Sequence, residues 1–399
     1  MKLLKNGEAY INGKTIKRDI LINDKKIEMI LNDYIVDKKE VDIIDCSGKL
    51  ILPGVIDPHV HFREPGLTNK ENFLTGSKAA CAGGITTIID MPNTKPPTLT
   101  VKALGKKVKL AKKSVVNYGF HFGSSIDNLS EIKKAENIAA VKIFMDTSTG
   151  KMKIDDEGIL ELIFKASKVV AVHAEGEKMK LAIKLANKTR KKLYLCHISS
   201  EEEIKYLKKN KRKNIFVEVT PHHLHLSEKK NDHFLDVKPC LKGKKDIKAL
   251  WKAINSGIID TIGSDHAPHT IDEKKKGAFG VPGEETLLPL MLNAVNKKKL
   301  TLKRLVELCC ENPSKIFGIK NKGHIKEGYD ADLVIVDMKL KKRVDATKLF
   351  TKCKWSPFNE KLLKGWPVMT IVNGKVIYDN GKINDKLKGK QVIFTKKNK

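Results

Sequence analysis

From residue 52 to residue 265 the chain alternates short β-branched runs with longer amphipathic stretches rich in Lys and Glu. That rhythm belongs to βαβ units, and it constrains the fold more than any other feature of the sequence. Eight runs read as strands: Leu52–Asp57, Thr86–Met91, Val115–His121, Ala140–Phe144, Val169–His173, Leu193–His197, Ile215–Val219 and Ile259–Asp265. Helices are predicted between them, at Lys102–Lys113, Glu157–Lys168, Lys178–Thr189, Glu201–Lys209 and Lys245–Asn255. Eight strand–helix units over about 260 residues match a closed (β/α)8 barrel. An open doubly wound sheet rarely needs eight, and no Gly-x-Gly-x-x-Gly follows the first run.

The flanks follow a different pattern. Gly7–Ile11, Asp19–Ile22, Lys26–Leu31 and Val41–Ile44 are short alternating strands with polar turns, as are Asp332–Asp337, Val368–Val372 and Lys375–Tyr378, the last two joined at Asn373-Gly374. Neither flank has enough strands for a stable sandwich alone. The expectation is therefore α/β: a TIM-like barrel over 53–321, inserted into a small β-sandwich domain built from residues 1–52 and 322–399.

Charge bears on partners. The 399 residues carry 77 basic and 47 acidic side chains, a formal charge of +30. A basic surface is the footprint of phosphate binding, but here lysine doublets such as Lys106-Lys107, Lys208-Lys209 and Lys229-Lys230 recur along the whole chain. They fall where helices face water, without interleaved aromatics, so no nucleic-acid partner is expected. A general positive field favours a small anionic substrate instead. Gln occurs once, at position 391, and Lys-rich, Gln-poor usage hints at heat adaptation. No apolar run reaches the ~20 residues of a membrane span, and no signal-peptide core opens the chain, so a cytoplasmic protein without membrane partners is expected. The seven cysteines lack Cys-x-x-Cys spacing, which argues against a disulfide framework or a zinc ribbon.

Barrel active sites sit at the carboxyl ends of the strands. Strand one ends Asp57-Pro58-His59-Val60-His61-Phe62-Arg63, and strand two runs into Asp90-Met91-Pro92-Asn93-Thr94. Lys142 lies in strand four, while His173, His197 and Asp265 close strands five, six and eight. In a strand, residues i and i+2 share a side, so His59 and His61 can reach one metal ion. Four histidines and an aspartate from separate strands suit one or two zinc-like ions. Lys142 sits inside the apolar run Ala140-Val141-Lys142-Ile143-Phe144, where an unpaired ammonium is costly. Either it pairs with an acid, or, neutralised by nearby cations, it adds CO₂ and becomes a carbamate able to bridge two metals.

In this order the residues resemble the amidohydrolase superfamily. Asp57-Pro58-His59-Val60-His61-Phe62-Arg63-Glu64-Pro65-Gly66, Met91-Pro92-Asn93-Thr94 and Ser264-Asp265-His266-Ala267-Pro268-His269-Thr270 look like the dihydroorotases within it. The likeness runs through Gly328-Tyr329-Asp330-Ala331-Asp332-Leu333. It implies zinc-dependent interconversion of N-carbamoyl-L-aspartate and dihydroorotate in pyrimidine biosynthesis. It also implies two zinc ions per subunit, one held by His59 and His61 and the other by His173 and His197. Carboxylated Lys142 and a hydroxide would bridge them, and Asp265 would ligate the first zinc and act as general acid and base. In bacterial relatives an aspartate supplies the bridge, so Asp146 is the alternative to Lys142. By the same resemblance Arg63, Asn93 and His269, with His61, grip the substrate's carboxylate and ring edge, and Phe279 and Gly280 meet the ring through backbone groups.

Other positions carry less. Some relatives place a third metal near residues like Cys196 and Glu218; the other reading gives these a packing role. His222, His223 and His225 read as hydrogen-bonding loop residues. Lys238 stands where relatives often use an arginine or asparagine, and it lacks their bidentate geometry. The loop Asp146-Thr147-Ser148-Thr149-Gly150 is expected to close over the substrate. Hydantoinases and allantoinases share the metal set but need no cation for a carboxylate beside the ring, so Arg63 separates them from the favoured reading. A metal-free scaffold is the rival from another class, and every expected ligand position is filled against it. A homodimer and association with other pyrimidine-pathway enzymes stay open.

Overall fold

The computed structural model describes residues 1–32, 41–146 and 152–395. Barrel strands one to eight are Val55–Val60, Ile85–Asp90, Asn117–Phe120, Val141–Phe144, Val169–His173, Lys192–Leu195, Ile215–Val219 and Thr261–Ile262. After His121, strand three resumes as Phe122–Gly123, which pairs with strand four. Every neighbouring pair is parallel. Strand one meets strand eight's extension through the Val60–His266 bridge, where the His61 amide donates to the His266 carbonyl at 2.8 Å. The ring is thereby closed, and a closed ring has no edge to protect.

Helices follow the strands because their sequences are amphipathic and capped. Glu201–Asn210 opens on a reciprocal Ser200–Glu203 capping box, and Val101–Ala111 and Glu157–Ala166 open on Thr100 and Asp156 side chains. These bonds satisfy amides that a helix start otherwise leaves unpaired.

Two strand readings need correction. The run Leu52–Asp57 straddles two elements: Leu50–Pro53 pairs with Leu333–Val336 outside the barrel, and the barrel strand begins at Val55. Both segments are buried throughout, so the apolar run shows no seam. The join is Gly54, where a Cβ would overlap the Thr86 side chain. The eighth strand shortens from Ile259–Asp265 to Thr261–Ile262, because Asp265 adopts a left-handed φ of 46° that no strand continues through. His222, His223 and His225 lie not in a loop but on the short helix Pro221–His225.

Outside the barrel, strands from both ends of the chain interleave. A seven-stranded sheet places Leu50–Pro53 between Glu8–Ile11 and the long strand Leu333–Arg343, which in turn pairs with Leu362–Val372. A four-stranded sheet of Lys26–Leu31, Asp19–Asn23, Lys2–Lys5 and Asp42–Asp45 lies against it. Leu4, Ile20, Ile22, Ile51, Leu333 and Ile371 share one core between the two. The C-terminal segment then returns to the barrel: the Val392 amide donates to the Tyr118 carbonyl, and Phe394 joins a buried cluster that includes Ile56, Ile89, Ala171 and Phe317.

Candidate active site

His59, His61, Arg63, Asn93, Lys142, His173, His197, Asp265, Phe279 and Gly280 line one cavity at the carboxyl rim, about 560 Å³ including its open mouth. Phe144, Lys238 and Ala267 complete its wall. His269 stands just behind, with Nε2 3.1 Å from Arg63 Nη2. Thr147–Gly150 of the expected closing loop lie outside the described residues.

Asp265 sits at the centre of the histidines. Its Oδ1 lies 3.2 Å from His59 Nε2 and 3.0 Å from His61 Nε2. Each ring's other nitrogen is spoken for: His59 Nδ1 donates to Glu218 Oε1 at 2.8 Å, and His61 Nδ1 to Asn93 Oδ1 at 2.7 Å. Those acceptors hold a proton on each Nδ1, so Nε2 is the nitrogen that faces the carboxylate and would meet a cation there. Across the cavity His173 Nδ1 faces His197 Nε2 at 2.9 Å, while His173 Nε2 and His197 Nδ1 are buried without a hydrogen-bond partner. Lys142 is fully buried, with Nζ 2.9 Å from Cys196 Sγ.

Three of the four histidines are held neutral, whereas Glu218 and Asp265 outweigh burial at His59 and raise it well above its ordinary value, so a cation there would displace the Nε2 proton. Burial lowers His61 to about 4 and His173 to about 3, and pushes His197 well below its ordinary value. These rings are neutral and have lone pairs to give. Burial alone would raise Asp265, but His59 and His61 beside it hold its carboxyl well below the usual range. Convergent imidazole nitrogens, an ionised carboxylate and orphaned buried ring atoms form a donor set that fits divalent metal. His59, His61 and Asp265 form one such group, and His59, Cys196 and Glu218 another. In the second, both Glu218 oxygens are engaged already, by His59, the His197 amide and the Tyr194 hydroxyl.

Buried acids behind the rim hold these loops. Asp57 accepts from the His59 amide at 3.1 Å and the Ser264 amide at 3.0 Å, tying strand one to the loop that carries Asp265. Asp90 accepts from the Phe62 amide at 2.7 Å and is paired with fully buried Lys107. Arg63, His197 and Asp265 all sit at positive φ, a strained conformation for residues with side chains, and one that clusters at functional sites. Lys70, Glu71 and Trp355 escaped the sequence reading, which had Asp90 only as the end of strand two. Each acts through a contact distant in sequence and carries no local motif.

On the substrate side Arg63 is buried, with Nε donating to the Pro268 carbonyl at 3.2 Å. The Lys238 ammonium stands 4.4 Å from the centre of the Phe279 ring, which is 43% exposed. A cation over an aromatic face at the mouth leaves this wall positive and partly apolar.

An amidohydrolase family model matches residues 50–377. A dihydroorotase of Methanosarcina acetivorans is 39% identical over 436 aligned positions, covering 96% of this chain and 93% of that protein. One from Pyrococcus furiosus is 40% identical over 414, covering 98% and 96%. Among solved structures, an L-hydantoinase (dihydropyrimidinase) from Arthrobacter aurescens superposes with a TM-score of 0.93 at 30% identity, covering 98% of this chain and 99% of that one.

Proposed function

The chain belongs to the amidohydrolase family, in its dihydroorotase branch, and from that premise we propose that it interconverts N-carbamoyl-L-aspartate and dihydroorotate. It is a hydrolase of a cyclic amide. Arg63 carries the substrate assignment: a buried guanidinium at the wall of the cavity matches a carboxylate beside the ring. Hydantoins carry no such group, which is why the shared fold of the hydantoinase neighbour does not transfer its substrate.

His59, His61 and Asp265 would hold one zinc ion and His173 and His197 the second, with Lys142 as the bridge after its neutral amine adds CO₂ and loses a proton. Two such cations, when bound, lower the pKa of a water and polarise the amide carbonyl. Asp265 takes the proton from the attacking water as the new C–O bond forms. It returns that proton to the ring nitrogen as the C–N bond breaks. Run in reverse, the same carboxylate serves ring closure, which acid favours because a protonated carboxyl is the better electrophile. Arg63 and Asn93 orient the carboxylate, with His269 acting behind them through Arg63, and the Phe279–Gly280 backbone meets the ring edge. Strands shared between 1–52 and 322–399 support treating the two flanks as one domain around a 53–321 barrel.

The test pairs turnover with metal content in one sample. Unaltered protein is expected to hydrolyse dihydroorotate and to carry about two zinc per chain, and to leave hydantoin and allantoin largely intact. Arg63→Ala is expected to lose at least ~100-fold in kcat/KM for dihydroorotate with its metal content unchanged. Unchanged turnover in that variant would sink the assignment.

A further inference from the structure

His269 lies between two cations and two acceptors, and which nitrogen bears its proton decides what Arg63 is free to do. At Nδ1 the Lys70 ammonium approaches to 3.1 Å and the Glu273 carboxylate to 3.4 Å. At Nε2 the Phe279 carbonyl lies at 2.9 Å and Arg63 Nη2 at 3.1 Å. An ammonium only donates and a carbonyl only accepts. The shorter contact at each nitrogen therefore calls for the same tautomer, with Nδ1 accepting from Lys70 and Nε2–H donating to Phe279. Glu273 in turn holds Lys70 in place at 2.9 Å.

The consequence falls on substrate binding. With its proton on Nε2, His269 offers Arg63 no lone pair, so the N–H groups of Arg63 Nη2 are left for an anion in the cavity. In the opposite tautomer, Nε2 would accept from Arg63 and draw part of its fork away from the substrate. We propose that Lys70 is a positioning residue for specificity: it fixes the Nε2–H tautomer of His269 and so keeps Arg63 available to the substrate carboxylate. Lys70 is not among the residues lining the cavity. The inference rests on the carboxylate-bearing substrate assigned above.

Removing Lys70 leaves the Glu273 carboxylate as the polar partner of Nδ1, and a carboxylate there attracts the proton. In protein labelled with ¹⁵N-histidine, with the His269 signals assigned by their loss in His269→Gln, the unaltered chain is expected to show bare Nδ1 and protonated Nε2. Lys70→Met is expected to move the proton to Nδ1 and raise KM for dihydroorotate ~10-fold with kcat within ~3-fold, the scale of one hydrogen bond to a charged group. Lys70→Arg, which restores a donor, is expected to keep the tautomer and hold KM within ~3-fold of the unaltered value.

A protonated Nδ1 in the unaltered protein would overturn the proposal. So would a Lys70→Met protein with the same tautomer and the same KM. Should Lys70→Met fail to fold, the spectra of the unaltered chain and of Lys70→Arg still decide the tautomer. Those spectra are recorded without substrate, so absent dihydroorotate turnover would overturn the reaction assigned above and not the tautomer.

Discussion

His59 shows how little of a ligand's behaviour resides in the ligand itself. Its Nε2 faces Asp265 because its Nδ1–H donates to Glu218 on the far side, and Glu218 is held there by the Tyr194 hydroxyl and the His197 amide. Glu218→Gln can present an N–H to that ring and permit the wrong tautomer. It is expected to weaken metal retention ~10–100-fold, measured by competition with a chelator. Glu284, behind His266, is a second case. It is fully buried with neither oxygen hydrogen-bonded, and burial followed by repulsion from Asp57 and Glu71 pushes its carboxyl well above the ordinary range. The folded state therefore binds a proton that the unfolded chain releases near pH ~4.3. The stability this brings is complete below that pH and is lost as pH rises toward the folded value. Glu284→Gln removes the proton from the cycle, so its melting temperature relative to the unaltered protein is expected to climb from pH 5 to pH 8. A flat difference would show that Glu284 is ionised in the fold.

Among the elements, the segment between the strands Leu333–Arg343 and Leu362–Val372 does more than connect them. It reaches residues behind the wall of the cavity: Thr351 Oγ1 donates to Glu71 Oε2 at 2.7 Å, and Trp355 Nε1 donates to the His269 carbonyl at 2.8 Å. The second bond fixes the backbone of a substrate-side residue from outside the barrel. Trp355→Phe keeps most of the packing and removes the donor. KM for dihydroorotate is expected to rise severalfold, about 1 kcal/mol of lost hydrogen bond, with kcat nearly unchanged, in steady-state kinetics. The strands that present the candidate metal ligands were visible in the sequence as β-branched runs ending in His or Asp. This brace was not, because Trp355 lies in a polar stretch without periodicity and its partner is 86 positions away.

Across the whole molecule, the ends of the chain complete the barrel they flank. Phe394 is 5% exposed and fills space beside Gly119, where a Cβ would come within 2.6 Å of its ring. Phe394→Ala is expected to cost about 3 kcal/mol in equilibrium unfolding by denaturant, the lower end for a large aromatic. Turnover in native buffer is expected to persist, since the active rim lies at the other end of the strands. The sequence by itself determined the alternation that makes a barrel, the flanking β elements, and the ordered His, Lys and Asp residues at the strand ends. Those are local properties, set by side-chain period and by which residue follows each apolar run. Tertiary structure alone decided that strand one begins after Gly54, that strand eight stops short of Asp265, and that His222 rides a helix. It alone also brought Lys70, Glu71 and Trp355 behind the site. Those outcomes depend on partners far along the chain, and hydrogen bonds between distant residues leave no periodic trace in either segment that forms them.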